Sequence, residues 1–195
     1  LSTHGNVNPR SPLMSSISLA EKFRVIDLSL IRARTVDLAI FSACLTGQGQ
    51  ATPSSDILGF SHAMLASGAT VYIGALWTAN DVVTMLHMYL FHLCLLTDIE
   101  NSVAENWANA TRQLYHMSHE DAANLLKMFV DVWDELERDG REPGRFVPGG
   151  RKLLETVVRR LSTRRGKREL NFKHPYFWAP FSVVGNGGLR IAPVE

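Results

Sequence analysis

Cys44 and His4 are the residues of this chain whose types and setting point to a definite chemistry. Cys44 closes a mostly apolar run, residues 35–44, and stands just before the glycine-punctuated segment Thr46-Gly47-Gln48-Gly49. Apolar residues without strict alternation are the pattern of a strand buried on both faces. The thiol therefore falls where the chain leaves the core at the carboxyl end of a parallel strand, the usual place for functional groups in such sheets. A thiol with the ordinary pKa of about 8.5 is a poor nucleophile until a neighbouring imidazole favours the thiolate. His4 could supply that imidazole, since Leu1-Ser2-Thr3-His4-Gly5 reads as the end of another strand, and Gly5 lets backbone approach a substrate carbonyl closely. A lone cysteine is more often a small core residue; the His-Gly pair is what favours the nucleophile.

The elements that must position these groups follow from the hydrophobic pattern. After the strand at 35–44, a helical pattern begins at Ser55 or Asp56, with Asp56 or a preceding Ser as N-cap. It places Ile57, Leu58, Phe60, Met64 and Leu65 on one face up to Gly68. Residues 70–77, rich in β-branched and aromatic types, read as a second buried strand. Strand, helix and strand make a right-handed βαβ unit whose functional groups lie near Cys44 and near Trp77 to Asp81. Helices follow at 81–96, at 102–115 with a Ser102/Glu105 capping box, at 119–138 with an acidic face, and at 152–163. Residues 176–184 have strand composition, and Gly185-Asn186-Gly187-Gly188 turns them toward a last short strand at 189–192.

Five ordered fragments carry a resemblance: 1–5; 37–47 (Asp-Leu-Ala-Ile-Phe-Ser-Ala-Cys-Leu-Thr-Gly); 56–70; 73–81; and 174–185 (His-Pro-Tyr-Phe-Trp-Ala-Pro-Phe-Ser-Val-Val-Gly). Together they resemble the CHAT domain, a caspase-like, separase-related cysteine peptidase family of clan CD often joined to tetratricopeptide repeats. The resemblance covers residues 1 to about 115 and 172–190. It implies an α/β, caspase-like three-layer sandwich around a mostly parallel sheet. It implies that His4 is the general base and acid, that Cys44 is the nucleophile, and that the amides of Gly5 and Cys44 form the oxyanion hole. Asp81 matches an acidic position that, in relatives of the separase type, helps build the pocket for the substrate side chain before the cut. A buried carboxylate there would favour a basic side chain, whereas Trp77, Thr78 and Ala79 could shape a pocket for an apolar one. No metal or organic cofactor is required by this chemistry.

Two departures from the family pattern accompany the resemblance. The strands expected before the His-Gly motif are missing from this chain, which begins at Leu1 without Met, so an upstream region, such as tetratricopeptide repeats, is expected to complete the sheet and cover its open edge. The stretch 116–172 is a helical and basic insertion before the last strands, longer than the family's usual connection, within a CHAT domain spanning 1–195. The expected function is a cysteine endopeptidase acting on protein or peptide substrates, regulated by upstream domains and compatible with oligomerisation on activation. The alternative is a catalytically silent signalling or scaffold module that binds protein partners.

Composition narrows the classes. With 195 residues, 46% hydrophobic and 20% charged, the chain can build a real core. A net charge of +1 marks neither a nucleic-acid nor a membrane protein, although residues 151–173 hold nine basic residues against two acidic. Within it, residues 159–168 read first as a solvated helix end, then as a protein docking or cleavage site, and last as a contact for nucleic acid or an anionic membrane; Arg164, Arg165 and Arg168 are self-processing candidates if the enzyme prefers a basic side chain before the cut. Two cysteines make no disulfide framework, and a reducing, cytoplasmic setting is expected. The greasiest stretch, 82–96, is shorter than the ~20 residues of a membrane span.

Other constellations are weaker. Gly59-Phe60-Ser61-His62-Ala63 resembles a serine-hydrolase elbow, yet Ser61 is expected in the middle of a helix rather than at a strand-to-helix turn. His87 and His92 differ by five residues, ~140° around a helix, so they and Cys94 make no metal site and are core and rim residues. His116 and His119 are expected to be solvated at helix ends. Tyr176, Phe177, Trp178 and Phe181 are expected in the core rather than as a binding platform. Residues 144–151 look faintly like a phosphate loop but lack its Lys and Ser or Thr, and read as a connection.

Overall fold

The computed structural model describes residues 5–6, 8, 11–18, 22–28, 30–31, 36–42, 50–51, 57–143 and 149–191. His4, Cys44, the loop 46–49 and residues 144–148 lie outside these described residues. Gly5–Asn6 (β1), Ser16–Ser18 (β2) and Lys22–Arg24 (β3) form a small antiparallel sheet in that order, followed by the single turn Val25–Leu28 (α1). Leu38–Phe41 (β4) enters the central sheet. Gln50–Ala51 (β5) and Ile57–Leu58 (β6) pair with each other, and Phe60–Ser67 (α2) leads to Val71–Ala75 (β7). The helices described next are Asp81–Thr97 (α3), Val103–His116 (α4), His119–Arg138 (α5), Gly150–Leu161 (α6) and Arg164–Glu169 (α7). The turn Pro175–Trp178 (α8) then delivers the last described strand, Phe181–Gly185 (β8).

The fold class is α/β, as expected, and the layers follow from alternation along the strands. In β7, Val71, Ile73 and Ala75 point into a core shared with α3 and α4, whereas Tyr72 points the other way, toward Phe60, Ala63 and Met64 of α2. The next strand does the same, with Ala39 and Phe41 on the α2 side and Leu38 and Ile40 on the other. Every residue of β7 is buried because both faces are covered. The central sheet, ordered β4-β7-β8, is mixed rather than mostly parallel among the described residues. β4 and β7 are parallel because α2 carries the chain back across the sheet, while β8 enters from the opposite end and runs antiparallel to β7.

Three expected boundaries shift for local reasons. The helix starts at Phe60 and not at 55 or 56: Ile57 and Leu58 pair with Ala51 and Gln50, and Gly59, extended, ends that pairing. The aromatic segment 176–184 is not one strand. His174 Nδ1 accepts from the Tyr176 amide, Pro175 occupies the first helical position, and one turn forms before β8. Leu189 to Ile191 form no strand, because the carbonyls of Gly187 and Leu189 accept from the amides of Ala104 and Val103 at the start of α4.

Elsewhere caps stand where the residues indicate. Ser102 and Glu105 complete the expected box, and the Ser102 amide and hydroxyl hold the Glu105 carboxyl below the usual carboxylate range. Ser118 and Asp121 make a second box, which starts α5 at His119. Gly185 joins β8 to the α2 layer: its φ is +102°, and a Cβ there would stand 2.5 Å from the Thr70 carbonyl oxygen.

Candidate functional site

Because β4 and β7 are parallel neighbours, with Phe41 level with Gly74, the chain leaves both strands on one edge of the sheet. Past β4 the chain runs toward Cys44. Past β7 it runs into residues 76–80, and there the geometry is built from both ends of the molecule. The Leu76 amide donates to the Pro180 carbonyl at 2.6 Å, Trp77 Nε1 donates to the Tyr176 carbonyl at 3.2 Å, and the Tyr176 hydroxyl donates to the Thr78 carbonyl at 2.9 Å. Asn80 caps α3, its side chain accepting from the Val83 amide. Residues 77 and 78, expected to meet substrate, thus sit on a loop clamped by α8 and the entry to β8, with Trp77 half-buried and Thr78 exposed.

Asp81 opens α3 and is exposed, so it is not the buried carboxylate that would by burial alone favour a basic partner. Its position at a helix N-terminus suits its charge. It borders a cleft of about 230 Å3 lined also by Asn80, Val82, Leu153, Val157, Arg160, Gly166, Glu169 and Leu170. That volume lies below the ~300–1,000 Å3 of small-molecule sites and suits a single side chain better than a cofactor. Arg160 and Glu169, from the basic stretch, line the same cleft as Asp81. Periodicity reads each helix separately, so only the charge run hinted at them.

On the other side, β1 carries Gly5, which pairs with Ile17 of β2. Ile17 is 1% exposed and belongs to the same buried cluster as Phe41, Phe60 and Tyr72. The strand that follows His4 is therefore tied to the α2 face of the β4–β7 pair.

The remaining titratable and nucleophilic groups have structural settings. Cys94 is buried in α3, accepts from Gln113 Nε2 at 3.3 Å, and has its thiol pushed up chiefly by burial, so it is held as an inert thiol. His87 is fully buried beside Trp107, ring centroids 4.3 Å apart, with Nε2 at 3.0 Å from Thr111 Oγ1. The Thr111 hydroxyl already donates to the Trp107 carbonyl, so His87 Nε2 carries the proton, and Nδ1 has no partner among the described residues. Desolvation pushes its pKa down to about 4. His92 is exposed and bonds back to Met88. His116 is solvated as expected, but His119 is not: it stacks on Phe172 and its Nε2 donates to the carbonyls of Lys167 and Leu170. Among the described residues no group of three or more His, Cys, Asp or Glu could hold a metal ion.

Ser61 stands in the first turn of α2 rather than mid-helix, directly after β6 and Gly59, which is closer to an elbow than its sequence suggests. It is nonetheless buried and cannot present its hydroxyl to a substrate. Of the four aromatics at 176–181, Phe181 is buried, Phe177 and Trp178 pack on the same core, and Tyr176 is exposed with its hydroxyl on the loop that precedes Asp81.

The ordered motifs and the strand pair that presents them lead to one family, whose model, described as the CHAT domain, matches residues 1–186. The chain belongs to the CHAT domain family. No curated protein matches it. CHAT domains are related to caspase-like cysteine peptidases, a relation compatible with proteolysis or with a scaffold role. In this CHAT domain no helix among the described residues is long and apolar enough to cross a membrane.

Proposed function

We propose that this CHAT domain is a cysteine endopeptidase acting through Cys44 and His4. The observation that carries the reading is the parallel β4–β7 pair, from which the segment toward Cys44 and the segment holding Trp77, Thr78 and Asp81 leave on one edge of the sheet. His4 takes the proton of the Cys44 thiol, and the thiolate attacks the carbonyl carbon of a peptide bond. The amides of Gly5 and Cys44 hold the oxyanion. Collapse of the tetrahedral species expels the amine, which leaves with the proton from His4, and a thioester to Cys44 remains. Water, deprotonated by His4, cleaves the thioester to a carboxylic acid and restores the thiol. Trp77, Thr78 and Asp81 contact the substrate side chain next to the cut. Upstream domains regulate the site, and the setting is a reducing cytoplasm, where a catalytic thiol stays reduced.

Covalent labelling by electrophilic peptides that differ in the residue before the electrophile, read by intact mass, tests this. Labelling on Cys44 that is lost in Cys44→Ala and His4→Ala supports the peptidase, and the preferred residue reports the pocket. Buried Cys94 serves as the internal control, since it should stay unlabelled while the protein is folded. Absence of labelling at Cys44, or equal labelling of Cys94, favours the scaffold reading.

A further inference from the structure

The basic tract is a built surface. Thr163 caps α7, its hydroxyl accepting from the Gly166 amide at 3.0 Å. Gly166 is buried so close to the end of α6 that a Cβ there would stand 2.0 Å from the Arg160 carbonyl oxygen. At the far end of α7, His119 Nε2 reaches the carbonyls of Lys167 and Leu170, and Leu170 and Phe172 are buried in the main core. Thus fixed, the segment turns Arg159, Arg160, Arg164, Arg165, Lys167 and Arg168 outward, all of them exposed. The acidic residue among them, Glu169, is engaged by Arg165 Nε at 2.8 Å. Arg160 also lines the cleft that Asp81 borders, so the positive surface begins where the candidate substrate loop ends.

A fixed scaffold removes the cost of ordering the backbone on binding, and clustered exposed cations steer the approach of an anionic partner. Two features favour a polypeptide over a nucleic acid. No aromatic residue stands in 150–171 to stack a base. Asp81 and Glu169 also border the cleft, and an unbroken chain of phosphates running into it would meet their charge, whereas a peptide can place its carboxylates on the arginines and a neutral or basic residue at the cleft.

We propose that α7 and the end of α6 form a docking surface for an acidic segment of the polypeptide that the CHAT domain acts on, adjoining the cleft at Asp81. That the segment belongs to a substrate rests on the peptidase reading; that the surface takes an acidic polypeptide does not.

The test separates the two. Fluorescence anisotropy of a labelled ten-residue Asp/Glu/Gly peptide is measured on the protein carrying Cys44→Ala, with a Lys/Gly peptide and a ten-nucleotide single-stranded DNA as comparisons. The expected result is binding of the acidic peptide that weakens as salt is raised, and that falls by about tenfold or more in Arg164→Glu/Lys167→Glu/Arg168→Glu. Unchanged circular dichroism and melting temperature guard against misfolding of the variant, and Arg164→Gln/Lys167→Gln/Arg168→Gln repeats the measurement without reversed charge. Equal binding by wild type and both variants, or tighter binding of the oligonucleotide than of the acidic peptide, overturns the proposal. With catalytic protein, a cleavable peptide extended by the acidic segment should show a KM raised about tenfold by the triple variant at unchanged kcat, while the unextended peptide shows no change. Acidic-peptide binding that depends on the tract, together with no cleavage and no labelling of Cys44, sinks the peptidase reading and leaves the docking surface standing.

Discussion

The two faces of the central sheet are built to different depths. On the face covered by α1, α2 and the small antiparallel sheet, the buried cluster is compact, centred on Ile17, Phe41, Phe60, Met64 and Tyr72. On the other face the core runs without interruption from Val71 and Ile73 through Leu86, Phe91 and Leu114 to Leu126, Leu154, Leu161 and Phe172. The second face therefore includes the helices of 116–172, which share the main core instead of hanging from it. The contrast teaches how stability and the candidate site are divided: the deep face anchors β7 and the clamped loop 76–80, while the shallow face holds the strand that carries Gly5.

The strongest way to break this contrast is to cut into both faces. Phe91→Ala should lower unfolding free energy by up to ~5 kcal/mol, and Phe60→Ala by ~3 kcal/mol, because the smaller cluster has more freedom to collapse around the gap. Chemical denaturation would measure both, and a larger loss for Phe60→Ala would mean that the faces are not unequal in this sense.

Next in size is acid sensitivity on the deep face. The folded-state pKa of His87, about 4, lies below the ordinary 6.5, so the unfolded chain binds the proton more readily. Its contribution to stability is whole above pH 6.5 and is lost as pH falls toward 4, up to ~3 kcal/mol by linkage. Replacing it, as in His87→Gln, should flatten this part of the stability profile between pH 6.5 and 4; an unaltered slope would place the acid sensitivity elsewhere.

A smaller effect sharpens the claim that α7 is fixed to the deep face. Gly166→Ala must push the Arg160 backbone away and should cost ~1–3 kcal/mol, read as an earlier melt. Smallest is the cap of α4: Ser102→Ala should cost ~1 kcal/mol, with no effect on labelling of Cys44, since the cap lies away from the carboxyl edge of the sheet.

Much of the helical side was legible in the residues. The helix His119–Arg138 has the expected bounds because Ser118 caps its start and its apolar stripe keeps one period throughout. The expected 102–115 helix forms from Val103 after its capping box for the same kind of reason, since caps and stripes are local. The misread places are those where a neighbour distant in sequence decides. Leu189 to Ile191 have strand composition, but their segment serves the amides of α4; Tyr176 has it too, but His174 and Pro175 wind it into a turn whose hydroxyl holds the loop at Thr78. His119 looked solvated because nothing in its own helix occupies it; its acceptors lie about fifty residues away, at Lys167 and Leu170.

By itself, the sequence determined the α/β class, the buried β4 and β7, the capping box of α4, the bounds of α5, the candidate pair His4 and Cys44, and the family, because these rest on short-range pattern and on motif order. Only the tertiary structure decided that β8 runs against β7, that Asp81 is exposed rather than buried, and that Arg160 and Glu169 line one cleft with it. The physical reason is that such features are set by which helices share a core. Burial of Leu154, Val157, Leu161 and Leu170 against the deep face brings a basic stretch some eighty residues downstream to the mouth of the cleft, and no local pattern encodes that distance.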